Sequence, residues 1–424
     1  MERYNPWWIN EEDYTYLEWK NAEINWVPRV LEELSMEPFS LNFIYGPRQV
    51  GKTTALKILI QQLIKEKDAK SVFYYSCDEL TDYRELGEVL DNYLSARKAW
   101  GIKRSHIFLD EVTFVSDWWR AVKSRIDSGE LSGDVITITG SASMELMKQT
   151  ELFPGRRGYG GDHIMMPLNF SRYAEVFSGI RPASGDIAYI ERNVQANKIY
   201  SETLHNLFLQ YIKTGGFPLA IRDYHRNGKI FPSTLKTYLD WMRGDWLKAG
   251  KNEKYMKEVI SYIIRARGTP ISWNGISAET GIKSPHTAQD YVRVLQEAFS
   301  SIVLNLLAQD SRIMYRKNRK VHFSDPLLFR IFSDYAGVQH EEGWLVEGMT
   351  ASMVSRQCPV YYWRNSSEVD VVCNLDGEQV GFEVTWGLKR WKKPNHIKRA
   401  YLLDRENIHL YLASIGDNMG HPPK

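Results

Sequence analysis

The sequence predicts an α/β protein with a parallel sheet in its first part, a mainly helical middle and a second α/β part towards its end. Short apolar runs typical of buried strands alternate with segments of 3.6-residue apolar periodicity over roughly the first 180 residues. Helical patterns continue to about residue 250, and strand-like runs return from residue 302. With 424 residues, 43% of them hydrophobic, the chain is long enough for roughly two to four domains with real cores.

Composition argues against several classes of protein. The 54 basic and 52 acidic residues nearly balance, so the net charge favours nucleic-acid binding no more than its absence. Cys77, Cys358 and Cys373 lie far apart without a CxxC pair or flanking histidines, which argues against structural zinc and a disulfide framework and favours a reducing cytoplasm. No stretch reaches 18 uninterrupted apolar residues, and the first residues lack an apolar signal-peptide core. We therefore expect neither export nor a membrane span.

The most specific motif is a glycine-rich loop between a buried strand, 41–45, and a helix that begins near Lys52. Its G-x-x-x-x-G-K-[ST] pattern predicts a phosphate-binding loop. Gly46 and Gly51 let backbone N–H groups point at phosphate oxygens, Lys52 reaches the β- and γ-phosphates, and the hydroxyl of Thr53 ligates Mg²⁺. ATP and Mg²⁺ are the predicted cofactors, although the pattern does not distinguish ATP from GTP. The predicted binding residues are Gly46, Pro47, Arg48, Gln49, Val50, Gly51, Lys52, Thr53 and Thr54.

Two further strands end in polar residues suited to phosphate chemistry. The apolar run 105–109 ends in Asp110, placed to hold the Mg²⁺ shell, and Glu111, placed to polarise the attacking water. The run 134–138 leads to Thr139 and Ser141, either of which would contact the γ-phosphate or the water; Ser141 is favoured, although it equally suits a helix cap.

A glycine-rich loop, 152–158, follows and carries Arg156 and Arg157. An arginine supplied by a neighbouring subunit would stabilise the transferring phosphoryl group and link hydrolysis to homo-oligomer assembly. An exposed loop arginine that is merely solvated is the alternative.

At this point the motifs carry a family resemblance. The set IYGPRQVGKTT, IFLDEV followed by SDWWR, ITGSAS, LFPGRRG and KTGGFPLA resembles the AAA-type P-loop ATPases common in archaea and also found in bacteria, whose C-terminal half is a domain of unknown function. The resemblance implies a P-loop NTPase core with a parallel sheet, in which one strand lies between the phosphate-loop strand and the Asp-Glu strand. It also implies a sensor at Ser141, a helical lid and ring assembly. Roles carry over to Lys52, Thr53, Asp110 and Glu111, and to Arg156 or Arg157 without a choice between them.

The segments that flank this core allow two interpretations each. The Trp-rich residues 1–40 either pack on the edge of the ATPase domain, which we favour, or cover the adenine. In the helical stretch, Gly215 and Gly216 form either a hinge for lid closure or a plain loop.

Residues 254–323 have the order of a winged helix, with a helix-turn-helix followed by a two-stranded hairpin. If this fold reads DNA, the second helix of the motif would meet the bases and the hairpin turn the phosphates; a protein-protein adaptor is the alternative. The base-reading candidates are His286, Thr287, Gln289 and Arg293, and the phosphate-contact candidates are Arg316, Lys317, Arg319 and Lys320.

The last part, from 341, resembles the restriction-endonuclease core, with a helix 341–357, strands 360–363, 368–373 and 380–386, a helix 395–403 and a strand 408–412. In that core an acid on the first helix, an Asp on the second strand and a Glu-x-Lys on the third converge on a divalent metal. Glu347, Asp370 and Glu383 fall on these positions and form a candidate second metal site. Thr385 stands where the lysine is expected and Lys389 lies four residues further on, so nuclease activity is disfavoured. The most basic stretch of the chain, predicted to hold nucleic acid through phosphates, is Lys389, Arg390, Lys392, Lys393, Lys398 and Arg399 around Trp391.

These observations predict a Mg-dependent ATPase that couples hydrolysis to conformational change, acting on DNA. The alternatives are an ATP-gated metal-dependent nuclease and a nucleotide-dependent switch that binds a protein partner. The predicted domains are an ATPase domain at 1–180, a helical lid at 187–253, a winged helix at 254–335 and an endonuclease-like domain at 336–424.

Overall fold

The protein is represented by a computed structural model that describes residues 1–140, 143–339, 341–365, 367–375, 377–387 and 390–417. The chain forms two compact units, Met1–Met166 and Pro167–Lys424. The first unit therefore ends before the predicted boundary at residue 180.

The first unit is built on a five-stranded, entirely parallel sheet with the strand order β2-β3-β4-β1-β5. As expected, a strand (β4) lies between the phosphate-loop strand (β1) and the Asp-Glu strand (β3), so the carboxyl ends of β1 and β3 face the same edge of the sheet. Its strands are β1 Ser40–Tyr45, β2 Val72–Ser76, β3 His106–Asp110, β4 Val135–Thr139 and β5 Asp162–Ile164. Its helices are α1 Tyr14–Lys20, α2 Val30–Glu33, α3 Lys52–Leu63, α4 Tyr83–Ala99, α5 Trp118–Asp127 and α6 Ser143–Thr150.

The N-terminal segment, residues 1–38, packs on the edge strand β2. The indoles of Trp7 and Trp8 both donate to the carbonyl of Val72, at 2.9 and 3.0 Å. The amide of Asn5 accepts from the N–H of Tyr74 at 2.7 Å and donates to its carbonyl at 3.0 Å. An edge strand otherwise presents unpaired backbone groups, and these side chains satisfy them. The interpretation that this segment packs on the edge of the domain is confirmed for Trp7 and Trp8.

The second unit combines helices with a six-stranded mixed sheet, ordered β11-β10-β9-β8-β6-β7. Its strands are β6 Ser301–Leu306, β7 Arg319–Phe323, β8 Val360–Arg364, β9 Glu368–Leu375, β10 Glu378–Val384 and β11 Arg399–Leu403. Its helices are α7 Phe170–Ser178, α8 Ile190–Asn197, α9 Ser201–Thr214, α10 Pro218–Asn227, α11 Pro232–Lys248, α12 Glu253–Arg265, α13 Trp273–Glu279, α14 Pro285–Glu297, α15 Pro326–Ala336, α16 Glu342–Ser355 and α17 Ile408–Ser414.

The hairpin assigned to a winged helix is continuous with the C-terminal sheet. Strands β6 and β7 pair antiparallel, as predicted, after the three helices α12, α13 and α14. Strand β6 also pairs in parallel with β8, through Asn305 with Tyr361 and Leu306 with Tyr362. The predicted boundary at 335/336 therefore runs through one hydrogen-bonded sheet, because the strands on its two sides share backbone hydrogen bonds.

The end of the chain differs from the sequence-based prediction in two elements. Arg399–Leu403 is a strand, paired in parallel with β10, and not the predicted helix. Ile408–Ser414 is a helix and not the predicted strand. Both stretches are short and apolar, and periodicity alone does not separate a strand from a buried helix at that length. The free sheet edge beside β10 decides the first assignment.

The expected absence of a disulfide is also wrong. Cys358, which follows α16, and Cys373 of β9 form a disulfide with their Cα atoms 5.8 Å apart. The antiparallel register of β8 and β9 pairs Val360 with Cys373, and this brings together two cysteines that are 15 residues apart in the sequence.

The Gly215-Gly216 pair forms a tightly packed junction. Gly215 has a φ of +61°, and a Cβ there would lie 1.9 Å from Oδ1 of Asp325. The N–H of Gly216 donates to Oδ2 of Asp325 at 2.9 Å, and its carbonyl accepts from the N–H of Leu168 at 3.0 Å. Only a residue without a side chain fits between these groups.

None of the helices within the described residues is long and apolar enough to cross a membrane.

Candidate functional site

The phosphate loop turns sharply at the end of β1. A Cβ at Gly46, where φ is +144°, would meet the carbonyl oxygen of Met165 at 2.1 Å, and Gly51 has a φ of +101°. These glycines are therefore required by the backbone path. Helix α3 begins at Lys52, so its first N–H groups lie where the loop would receive an anion. The ammonium of Lys52 donates to the carbonyls of Gly46 and Pro47 at 2.9 and 3.0 Å.

Asp110, at the tip of β3, lies at the centre of a network of hydroxyl groups. Thr53 and Tyr74 donate to its Oδ2 at 2.6 and 2.9 Å. Thr139 donates to its Oδ1 and accepts from the N–H of Glu111 at 3.2 Å. Burial and the charge of Asp110 raise the pKa of Tyr74 well above its usual value, so its hydroxyl remains a donor. A hydroxyl and a carboxylate at the mouth of a phosphate loop are the oxygen ligands that Mg²⁺ takes, so these residues fit Mg-nucleotide.

The sequence analysis predicts Thr53 and Asp110 as Mg²⁺-binding residues. It does not predict that Tyr74 and Thr139 hydrogen-bond to Asp110. Tyr74 receives no role in the sequence analysis, and Thr139 is considered there only as a contact of the γ-phosphate or the water. The parallel register pairs Tyr74 with Phe108, two residues before Asp110, so Tyr74 and Asp110 share a face of the sheet. No local pattern in the sequence signals this contact, because it depends on the register between the two strands.

Glu111 follows Asp110 in a left-handed conformation, with a φ of +57°. This conformation is uncommon for residues other than glycine and often occurs at functional sites. Glu111 is partly exposed at the end of β3, where the predicted role requires it. The sensor candidate Ser141 lies outside the described residues.

Both candidate arginines contact aspartates of their own unit. Arg156 pairs with Asp127 at 2.5 Å. Arg157 pairs with Asp162, and its guanidinium lies 5.4 Å from the ring centroid of Phe43. The loop arginines therefore already have partners within the first unit, and a role towards another subunit stays a prediction.

In the second unit, two of the three predicted metal ligands, Glu347 and Asp370, lie around a lysine together with Glu368. The ammonium of Lys320, on β7, lies 2.8 Å from Glu347 Oε1, 2.8 Å from Glu368 Oε1 and 2.6 Å from Asp370 Oδ1. Oδ2 of Asp370 accepts from the N–H of Val384 at 2.8 Å. Among the residues that the structure describes, no group of three His, Cys, Asp or Glu side chains is arranged to hold a metal ion. The ammonium of Lys320 thus occupies the centre of these carboxylates, and the second metal site stays a prediction.

The electrostatics of this carboxylate cluster, Lys320, Glu347, Glu368 and Asp370, follow from its burial. Burial lowers the pKa of Lys320, but the charges of Glu347, Asp370 and Glu368 outweigh it and raise that pKa well above its usual value. Burial and the charge of Asp370 raise the pKa of Glu347 to about 8, against the opposing charge of Lys320. Glu347 is therefore harder to ionise than an exposed glutamate. The third predicted ligand, Glu383, is fully buried on β10, and Lys389 lies outside the described residues.

The predicted nucleic-acid contacts are divided between surface and interior. The four candidates on α14, His286, Thr287, Gln289 and Arg293, are exposed. Arg316 and Lys317 are exposed before β7, whereas Arg319 is buried against Trp273, 4.1 Å from its ring centroid, and Lys320 is in the carboxylate cluster. Two of the four predicted hairpin phosphate contacts are therefore wrong, because strand β7 turns their side chains inward. In the basic stretch, exposed cations remain at Arg390, Lys392, Lys393 and Lys398.

Comparison with known protein families agrees with this site. Residues 39–174 match an AAA domain, and residues 205–335 match a domain of unknown function (DUF8612). The first match contains the phosphate loop, Asp110 and both loop arginines. The first unit thus carries an AAA-type P-loop ATPase domain.

Several archaeal proteins are similar to parts of this chain. An uncharacterized protein of Methanocaldococcus jannaschii is 26% identical over 195 residues, which cover 43% of this chain and 39% of that protein. An uncharacterized ATP-binding protein of the same organism is 39% identical over 75 residues, which cover 17% of this chain and 20% of its own. The chain thus spans less than half the length of either relative. Among solved structures, the Walker-type ATPase PABY2304 of Pyrococcus abyssi aligns over 72% of this chain and 93% of its own, with 13% identity and a TM-score of 0.42.

Proposed function

We propose that this chain, whose residues 39–174 form an AAA-type P-loop ATPase domain, hydrolyses Mg-ATP and couples hydrolysis to conformational change on DNA. The observation that carries the ATPase part is the contact of 2.6 Å between Thr53 and Asp110 beside the buried ammonium of Lys52. Lys52 and Thr53 open the helix that follows β1, and Asp110 ends β3. These two parallel strands are separated by a third, and open α/β sheets bind ligands at such an edge.

The proposed roles follow from the chemistry of each group. The loop N–H groups and Lys52 bind the phosphates, and Lys52 exchanges its loop carbonyls for phosphate oxygens when nucleotide enters. Thr53 and Asp110 hold Mg²⁺, which bridges phosphate oxygens and neutralises charge on the transferring group. Glu111 orients the attacking water, and the Thr139 hydroxyl holds the carboxylate of Asp110 and the backbone N–H of Glu111. Arg156 and Arg157 remain the candidates for a charge supplied to a neighbouring copy in a homo-oligomer.

Exposed polar and basic residues of the second unit support the DNA part of the proposal. They are the candidates on α14, the cations Arg316 and Lys317, and the stretch with Arg390, Lys392 and Lys393. Cations on a surface contact phosphates without reading sequence, so we expect binding that weakens steeply as salt rises.

A second candidate, a switch that binds a protein partner, is favoured by one observation on α14. Arg293 pairs with Asp290 at 3.0 Å and lies 3.6 Å from Glu297. These acids reduce the positive charge of the helix face that would enter a DNA groove. An interface with a protein would depend far less on salt than a phosphate contact.

The test is Mg-ATP hydrolysis by wild type and Glu111→Gln, with and without duplex, branched and single-stranded DNA, with the DNA examined on a gel. Stimulation by one form of DNA, lost in Glu111→Gln and without cleavage, supports the proposal. Hydrolysis that no DNA stimulates, with no salt-dependent DNA binding, favours the protein-binding switch. Cleavage that disappears in Asp370→Ala overturns both in favour of a nuclease.

A further inference from the structure

A buried lysine lies on the helix that follows the phosphate loop, outside the loop motif itself. Lys57 of α3 is 4% exposed, and its ammonium lies 3.0 Å from Oδ2 of Asp13 in the N-terminal segment. The same ammonium lies 3.2 Å from the ring centroid of Tyr74 and 5.2 Å from that of Trp7. A buried ammonium requires such partners, because its loss of hydration is otherwise uncompensated.

The ring beneath this ammonium belongs to the tyrosine that contacts the metal-binding carboxylate. Tyr74 is 4% exposed and Asp110 is 1% exposed. The Tyr74 hydroxyl donates to Oδ2 of Asp110 at 2.9 Å, and this is the oxygen that also accepts from Thr53. On the opposite side, Asn5 pairs with both backbone groups of Tyr74. One residue thus connects the N-terminal segment to Asp110.

We propose that Tyr74 is a positioning residue for the metal-binding carboxylate, and that the N-terminal segment holds it in place through Asn5 and the Asp13–Lys57 pair. Mg²⁺ demands near-ideal octahedral geometry, so a carboxylate fixed in one orientation beside Thr53 binds it more tightly than one free to rotate. The inference rests on the proposed ATPase function. It also extends the site beyond the matched AAA domain, since Asn5 and Asp13 precede residue 39.

The test compares wild type with Tyr74→Phe, which keeps the ring beneath Lys57 and removes the hydroxyl alone. The primary measurement is binding of a fluorescent ATP analogue as Mg²⁺ is titrated, and the second is hydrolysis over the same range. Loss of a group that orients a metal ligand typically weakens metal affinity 10–100-fold, so we expect half-saturation at about tenfold higher Mg²⁺. Binding without Mg²⁺ does not change, because the hydroxyl of Tyr74 contacts Asp110. Turnover rises towards the wild-type value as Mg²⁺ saturates the site.

The matched control is Tyr93→Phe. Tyr93 is also fully buried in the first unit, but its hydroxyl contacts Ser105 at 2.8 Å. We expect the Mg²⁺ dependence of Tyr93→Phe to equal that of wild type. A general loss of folding would affect both variants and would appear in their thermal unfolding.

A second variant, Asp13→Asn, leaves Tyr74 untouched and keeps an N-cap residue for α1, but removes the charge that pairs with Lys57. We expect a smaller shift of the Mg²⁺ midpoint in the same direction. Wild-type Mg²⁺ dependence in Tyr74→Phe overturns the positioning role, and wild-type dependence in Asp13→Asn alone overturns the part of the N-terminal segment. If wild type itself neither binds nor hydrolyses Mg-ATP, the proposed function fails and this inference fails with it.

Discussion

Two buried carboxylate sites in the described part of the chain look alike in the sequence and differ in their donors. In the first unit, Asp110 accepts hydrogen bonds from the hydroxyls of Thr53, Tyr74 and Thr139. In the second unit, the ammonium of Lys320 forms ion pairs with Asp370, Glu347 and Glu368. Hydroxyl donors leave the negative charge of a carboxylate available to a metal ion, whereas an ammonium neutralises it. The two acidic motifs therefore differ in whether a cation lies among the donors that contact the carboxylates directly.

The largest expected effect comes from removing the ammonium of the second site. Lys320→Met leaves the buried acids without compensation and is expected to cost about 3–5 kcal/mol in the free energy of unfolding. Chemical unfolding of the full chain measures it. Lys317→Met, at an exposed position of the same connection, is the control and should change stability little.

The Lys320→Met variant also tests whether the ammonium keeps metal ions out of the second carboxylate site. Without the ammonium, Glu347, Glu368 and Asp370 are free to bind a divalent cation, so Mg²⁺ or Mn²⁺ without nucleotide should stabilise Lys320→Met and not the wild type. Equal stabilisation of both proteins would show that Lys320 does not exclude metal from this site.

In the first unit, Lys52→Ala should reduce Mg-ATP turnover by about 10²–10³-fold, because a preorganised charge aimed at the phosphates is lost. Steady-state hydrolysis measures it, and Lys65→Ala, an exposed lysine just after α3, is the control. Retention of more than a tenth of wild-type turnover would contradict the role of Lys52.

Asp325 is another buried carboxylate, and it accepts hydrogen bonds from the backbone N–H groups of Gly216 and Leu327. Gly215→Ala puts a Cβ against this carboxylate and should destabilise the chain by about 1–3 kcal/mol more than Gly228→Ala does. The two glycines have nearly equal φ values, +61° and +68°, but a Cβ at Gly228 meets nothing within 4 Å. Equal losses in thermal or chemical unfolding would mean that backbone conformation alone matters.

The smallest effect concerns the proton on Glu347. Burial and Asp370 raise its pKa to about 8 in the folded chain from an ordinary value of 4.5, so the folded state binds this proton more tightly. Stability contributed by the proton is present below pH 4.5 and is lost as the pH rises towards 8. Glu347→Gln should therefore show a flatter fall of stability over this range than wild type or the exposed control Glu279→Gln. Parallel curves for all three would contradict the raised pKa of Glu347.

Sequence reasoning predicted more of the first carboxylate site than of the second, for a physical reason. The phosphate loop is a local motif: nine consecutive residues determine its turn, and the strand and helix beside it have clear apolar periods. The parallel direction of the strands then follows from their alternation with helices. Tyr74 escaped notice because its contact with Asp110 depends on the register between β2 and β3, which no local pattern encodes.

In the second unit, local patterns were ambiguous and pairing decided the outcome. The stretch 399–403 forms a strand where a helix was predicted, and 408–414 forms a helix where a strand was predicted. Only the first meets the open edge of β10. Cys358 and Cys373 came together through the register of β8 and β9. Lys320 was counted among the cations of a hairpin turn, but the strand begins at Arg319 and directs the lysine into the interior.

By itself, the sequence determined the nucleotide-binding end of this protein: the loop glycines, Lys52, Thr53 and Asp110, and the strands and helices that carry them. These depend on backbone conformation and short-range periodicity, which neighbouring residues set. Only the tertiary structure decided what faces each buried carboxylate. That choice depends on which strands become neighbours and in what register, since a shift of one residue would turn Lys320 to the other face of its sheet.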